Sequence, residues 1–295
     1  MLMLALASPQ TLDVLGIVAV AGNVALSKTQ RNARIICDLA GKPEMRVFAG
    51  QDRPLERVLE IADQVHGREG LNGVDIFEPK TPLQSTPGVD FIIETLHAAE
   101  DDEIILVPTG PLTNIAQVIL RAPEILPKIQ KIVLMGGALR EGGNITPSAE
   151  YNIYADPHAA KIVFECGRQI VAFGLDVTHQ VITSRDVLER INALPTPAAK
   201  AAHAILKQYE FFDADKYGVG GAPLHDPCTI AYLIDPDLFK LKSCNIEVET
   251  QSELTMGHTA VDFWQATTKP HNALWAFEVD RSGFFDLLIG RLARL

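Results

Sequence analysis

Short aliphatic, β-branched runs alternate along this chain with segments of helical periodicity, and that alternation limits the fold more than any other feature. The apolar runs fall at 14–20, 46–49, 104–107, 132–135 and 170–174. Each has the length of a strand and is apolar at consecutive positions, as expected of strands buried on both faces. Between them, helical periodicity predicts helices over 28–39, 55–65, 90–99, 112–121 and 157–165. Strand followed by helix, repeated, implies an α/β fold with an open, mostly parallel sheet flanked by helices.

Helix punctuation agrees with this reading. Gly41-Lys42-Pro43 closes one helix, Asp156-Pro157 opens another with a cap and a first-turn proline, and Gly167 ends it. Beyond Thr183 the pattern predicts helices over 185–192 and 197–212, a Gly-rich loop at 217–221, strands over 245–250 and 274–279, and a last helix over 284–292. No linker, repeat or low-complexity tract divides the chain, so residues 1–295 are expected to form a single domain with an ample core.

Composition removes several function classes. With 26 Lys and Arg against 37 Asp and Glu, the net charge is −11 and no nucleic-acid partner is expected. Cys37, Cys166, Cys228 and Cys244 are far apart with no C-x-x-C, which argues against a zinc knuckle or disulfide framework and for a reducing cytoplasm. No apolar run reaches the roughly 18 residues of a membrane span. The opening Met1-Leu2-Met3-Leu4-Ala5-Leu6-Ala7 carries no preceding Lys or Arg and reads as a core helix fragment rather than a signal peptide.

In open α/β sheets ligands bind outside the carboxyl ends of the strands. The informative positions are therefore those just after each strand: Ala21-Gly22-Asn23, Gly50, Pro108-Thr109-Gly110-Pro111, Gly136-Gly137 and Asp176-Val177-Thr178. The nucleophile elbow, the P-loop and the dinucleotide glycine fingerprint are all absent from the sequence. What remains is a polar set in Gly- and Pro-rich segments: Asn23, Asn144, Glu150, Asn152, His225 and Asp226.

Glu150 and Asn152 alternate, so on an extended backbone both side chains point the same way, an arrangement suited to sugar hydroxyls. The alternative is a polar loop whose asparagines serve turns. In Leu224-His225-Asp226-Pro227 an imidazole able to protonate a leaving group stands beside a carboxylate able to bind a metal or a hydroxyl. Here the alternative is a helix cap, with Asp226 as N-cap and Pro227 at the first helical position. His66, before Gly67, fits a helix C-terminus. His97, His158, His179, His203, His258 and His271 read as structural or surface residues.

Together these segments are more specific. Ala19-Val20-Ala21-Gly22-Asn23-Val24, His66-Gly67-x-x-Gly70-Leu71, Pro108-Thr109-Gly110-Pro111-Leu112-Thr113-Asn114, Met135-Gly136-Gly137, Gly143-Asn144-Ile145-Thr146-Pro147 with Ala149-Glu150-Tyr151-Asn152, and Pro223-Leu224-His225-Asp226-Pro227 follow one another in an order and spacing that resembles the inosine-uridine-preferring nucleoside hydrolases. The resemblance runs the length of the chain. It implies hydrolysis of the N-glycosidic bond of purine or pyrimidine ribonucleosides to ribose and free base, through an oxocarbenium-like transition state and with a calcium ion that acidifies the attacking water.

Carried over motif by motif, the resemblance gives Asn23, Asn144, Glu150 and Asn152 to the ribose hydroxyls, with Tyr151 beside them and Met135 lining the sugar pocket. Asp226 would bind calcium and the 3′-hydroxyl, and the Thr109 main-chain carbonyl would be a further calcium ligand. His225 resembles the group that protonates or polarises the leaving base, and His66 one that contacts the base. Purine-specific relatives sandwich the base between tryptophans, whereas Trp264 and Trp275 stand at other positions, which favours inosine, uridine or cytidine. A cytoplasmic homodimer or homotetramer in nucleoside salvage is implied as well.

The pattern departs from the family at its start. Members begin with a strand ending in Asp-x-Asp-Pro-Gly-x-Asp-Asp, which supplies the general base and most calcium ligands, followed by a helix ending in Ala-Ser-Pro. This sequence opens at Met1 already inside that helix, which ends at Ala7-Ser8-Pro9. Calcium binding is therefore expected to be weakened or lost. Met1 is expected to be an internal methionine of a longer protein; the alternative is an impaired homologue that binds a nucleoside or ribose without metal.

Overall fold

The computed structural model describes residues 1–62, 67–217 and 221–295, with 209–217 described by backbone alone. His66 and the centre of the Gly-rich loop at 218–220 lie outside the described residues. The strands are β1 (Ile17–Ala19), β2 (Val47–Ala49), β3 (Ile104–Leu106), β4 (Ile129–Met135), β5 (Ile170–Phe173), β6 (Ile182–Thr183), β7 (Ala222–Pro223), β8 (Phe239–Cys244), β9 (Ile246–Val248), β10 (Thr259–Val261) and β11 (Ala273–Val279).

The central sheet has the order β3-β4-β5-β11-β8. β3, β4, β5 and β11 run parallel, and β8 pairs antiparallel with β11 at the edge. β1 and β2 pair parallel in a separate two-stranded sheet, so the expected parallel strands form two ladders rather than one.

The middle strands are buried on both faces, as their unbroken apolar runs require. Ile132 and Leu134 of β4 join Ile170 and Ala172 of β5 in one core with helices Thr113–Arg121 and Pro157–Phe164. Val133, Val171 and Phe173 point to the opposite face, against Leu4, Ala231, Phe284 and Leu288 from helices Leu2–Leu6, Pro227–Ile234 and Arg281–Leu292. Strand period two thus divides one apolar run between two helical layers. Among the described residues no helix is long and apolar enough to cross a membrane. All four cysteines are free.

Asp156 caps Pro157–Phe164 as its sequence position suggests, accepting the Ala159 N–H at 3.0 Å. It is fully buried and also accepts the Thr113 hydroxyl at 2.7 Å and the Leu55 N–H at 2.9 Å.

The helix predicted over 55–65 does not form in its described part. Residues 55–62 have no regular structure, because their backbone groups bond to other segments. Leu55 N–H goes to Asp156, the Glu60 carbonyl accepts the Tyr151 hydroxyl at 2.7 Å, and the Ala62 N–H reaches the Asn23 carbonyl at 2.9 Å. Tertiary partners outcompete the weak helical propensity of a short segment.

Candidate active site

Four chain segments meet at the carboxyl ends of β3 and β4. Met135, the last residue of β4, is buried and donates its N–H to the Pro108 carbonyl at 3.1 Å, fixing the turn after β3 beside the turn after β4. Asn152 completes the junction. Its Nδ2 donates to the Met135 carbonyl at 3.1 Å, lies 3.3 Å from the Met135 sulfur, and reaches the Thr109 carbonyl at 3.5 Å.

Glu150 lies at the centre of this junction. It is the N-cap of helix Tyr151–Ala155, with Oε1 accepting the Asn152 N–H at 2.9 Å and Oε2 accepting those of Gly137 at 3.0 Å and Ile153 at 3.3 Å. An extended strand was the expected means of aligning Glu150 with Asn152. Instead a helix starts between them, since a carboxylate ahead of Tyr-Asn-Ile-Tyr-Ala satisfies the orphan N–H groups of a first turn. The two side chains still converge on the end of β4, by capping geometry rather than by strand alternation.

Burial pushes the Glu150 carboxyl up to about 7; Asp226 adds to the rise, and the three backbone N–H groups oppose it. Burial likewise pushes Asp226 up to about 6, against the pull of the Met1 α-amino group and a hydrogen bond from the Thr109 side chain. The Asp226 charge is therefore close enough to disfavour ionisation of Glu150. Asp226 occupies the N-cap position of helix Pro227–Ile234, but its side chain makes no capping hydrogen bond. The helix-cap account of that carboxylate is thereby set aside: it bonds to Thr109 across the junction.

His225 precedes Asp226 on a segment held by β7 pairing with β6 and by the Leu224 N–H bonding the Val181 carbonyl at 2.9 Å. Its Nδ1 is 2.8 Å from the Thr178 hydroxyl. Asn144 stands one layer back, its Oδ1 accepting the Tyr151 N–H at 2.9 Å. The Tyr151 hydroxyl is engaged by the Glu60 carbonyl, and burial raises its pKa. Asn23, half-buried, borders the site through its carbonyl bond to Ala62. Glu150, Asn152, Met135, Thr109 and Asp226 are thus brought together; Asn144, Tyr151 and Asn23 frame them.

Sequence reasoning missed two contributors and only hinted at a third. His179, read as structural or surface, packs its ring against His225 with centroids 5.6 Å apart, and its Nδ1 is 2.9 Å from Glu141. Thr259 holds the turn after β4, its hydroxyl donating to the Ala138 carbonyl at 2.8 Å and accepting the Ala138 N–H at 3.0 Å. Thr178 stands just after a strand, the one sequence signal that points to it.

Calcium takes about six to eight oxygen ligands. Near Asp226 this chain offers that carboxylate and the Thr109 carbonyl, far fewer oxygens than that. No group of three or more His, Cys, Asp or Glu side chains able to hold a metal occurs among the described residues. The residues present do not fit a calcium ion.

Residues 1–286 match the family model described as inosine-uridine preferring nucleoside hydrolase. The chain is similar to the pyrimidine-specific ribonucleoside hydrolase RihA of Shewanella sp. strain MR-4, with 47% identity over 99% of this chain and 91% of that protein. RihA of Photobacterium profundum is 44% identical over 99% of this chain and 94% of its own length. Among solved structures, the purine-preferring ribonucleoside hydrolase from Gardnerella vaginalis superposes with a TM-score of 0.91 at 33% identity, covering 99% of this chain and 93% of that one. A buried carboxylate and amide at the ends of parallel strands, together with these likenesses, identify the chain as a ribonucleoside hydrolase belonging to the inosine-uridine preferring nucleoside hydrolase family.

Proposed function

We propose that the protein cleaves pyrimidine ribonucleosides in preference to purine ones, with Asn23, Asn144, Glu150 and Asn152 gripping the ribose and His225 serving the leaving base. The observation that carries this reading is the junction of Glu150, Asn152, Thr109 and Asp226 at the ends of β3 and β4. Buried acceptors and an amide donor side by side suit a polyhydroxylated ring, and Met135 supplies an apolar wall.

Glycosidic cleavage builds positive charge on the ribose as the bond to the base lengthens. The Asp226 charge disfavours ionisation of Glu150 in the free enzyme, and a cationic sugar beside the two carboxyls offsets that repulsion. The attraction therefore grows toward the transition state, which is the condition for lowering the barrier. Asp226 accepts a ribose hydroxyl in this scheme. At His225, the hydrogen bond between Nδ1 and the Thr178 hydroxyl orients the ring, and the imidazolium form passes a proton to the departing base.

Preference for a pyrimidine is supported by RihA relatives of 44% and 47% identity being named pyrimidine-specific, against 33% for the purine-preferring structure. Trp275 is fully buried in the core and Trp264 is exposed against Phe263, an arrangement unlike a base sandwich. Calcium would be held weakly by Asp226 and Thr109 alone. We further infer that residues 1–295 act as one domain, in a cytoplasmic homodimer or homotetramer.

The test is kcat/KM for uridine, cytidine and inosine, read as ribose release. Uridine or cytidine should exceed inosine by about tenfold or more. An inosine value above both would overturn the preference.

A further inference from the structure

We infer that His179, held by Glu141, is a positioning residue that fixes the ring of His225 for departure of the base. The inference rests on His225 acting at the leaving group, and it concerns residues to which sequence reading assigned no role.

The observations lie on one short turn. Helix Leu175–Thr178 follows β5 directly, and each of its residues near the site makes a different tie. The Asp176 carboxylate accepts the N–H groups of Leu139 and Arg140, both at 2.7 Å, anchoring the loop that leads to Asn144. Thr178 bonds Nδ1 of His225 at 2.8 Å. His179 follows, with its ring tilted 59° to that of His225 and its Nδ1 bonded to Glu141 on the same anchored loop.

The Thr178 bond sets the position of one ring nitrogen of His225, and the plane of the ring is set by what packs beside it. The His179 ring blocks a swing of that plane from the side, and Glu141 stops the His179 ring from turning away. The His179 side chain is only 15% exposed, so its own rotation is confined, whereas Glu141 is 45% exposed. The loop bearing Asn144 and the segment bearing His225 are thereby tied through one turn, which sets the ribose grip and the leaving-group residue in fixed relation. A misplacement of about 1 Å in such a group costs on the order of a hundredfold in rate.

The test combines a spectroscopic and a kinetic reading in Glu141→Gln and His179→Phe. Glu141→Gln alters a half-exposed side chain and spares the core, so it answers even where His179→Phe is poorly folded. With 15N-labelled histidine, and His225→Asn used to assign the signals, the two ring nitrogens of His225 should show one tautomer in the unaltered protein and move toward averaged shifts in both variants. Unchanged His225 shifts in both variants would overturn the inference.

In the kinetic reading, kcat on uridine should fall about tenfold further than kcat on p-nitrophenyl riboside, whose leaving group needs no assistance, with the uridine KM unchanged. Equal losses on both substrates, with His225→Ala still discriminating between them, would likewise overturn it. If His225→Ala itself lowers both equally, the acid role of His225 fails, while the nitrogen shifts still decide whether His179 positions the ring.

Discussion

Oε2 of Glu150 accepts the Gly137 N–H at 3.0 Å, tying the first turn of helix Tyr151–Ala155 to the turn that ends β4. The bond depends on Gly137 adopting φ +89, and a Cβ there would lie 3.1 Å from the Thr259 side chain. Gly137→Ala should therefore destabilise the fold by about 1–3 kcal/mol, read from urea unfolding, and lower ribose release with it. Unfolding at the same urea concentration as the unaltered protein would show that the turn does not need its glycine.

Glu150 makes stability depend on pH. Its folded carboxyl is pushed up to about 7 from an ordinary 4.5, so in this range the folded state holds a proton that the unfolded chain has released. Stability from this group is complete below about 4.5 and is lost as pH rises toward about 7. The melting temperature of the unaltered protein should fall across that window, and Glu150→Gln should flatten the fall. Parallel curves for the two proteins would contradict the burial account.

Much of this architecture is legible in the sequence, for physical reasons. Ile132-Val133-Leu134 and Ile170-Val171-Ala172-Phe173 had to be strands covered on both faces, since no alternation offers a solvent side. Looking just after the parallel strands followed from the topology and pointed to Thr109 and Gly137, whereas Met135 came from the family resemblance. The 55–65 segment misled because the spacing of Leu55, Val58, Ile61 and Ala62 resembles a helix face, yet Val58 is 85% exposed and the backbone bonds elsewhere. His179 was invisible because Glu141 is 38 residues away and no local pattern joins them. The split between β1–β2 and the central sheet had no sequence signal in the strands themselves.

Thr109 tunes Asp226. Its side-chain hydrogen bond favours the ionised carboxyl and limits to about 6 the rise that burial drives. Thr109→Val should raise the Asp226 pKa further, so the rising limb of kcat/KM against pH moves to higher pH. A limb that stays in place, or moves down, would separate Thr109 from Asp226 in function.

Calcium should bind residues 1–295 weakly. With one carboxylate and one carbonyl near the site, titration calorimetry is expected to find no saturable site tighter than the millimolar range, the regime of ligand-poor sites. Micromolar binding lost in Asp226→Asn would mean that other oxygens complete a sphere around that carboxylate.

The most direct measurement is stoichiometric release of ribose and uracil from uridine by the unaltered protein and by Asp226→Ala. The account predicts one ribose per uracil from the unaltered protein and a loss of about a hundredfold or more in the variant. No release by the unaltered protein, or an undiminished rate in Asp226→Ala, would contradict the assignment of Glu150 and Asp226 to ribonucleoside cleavage.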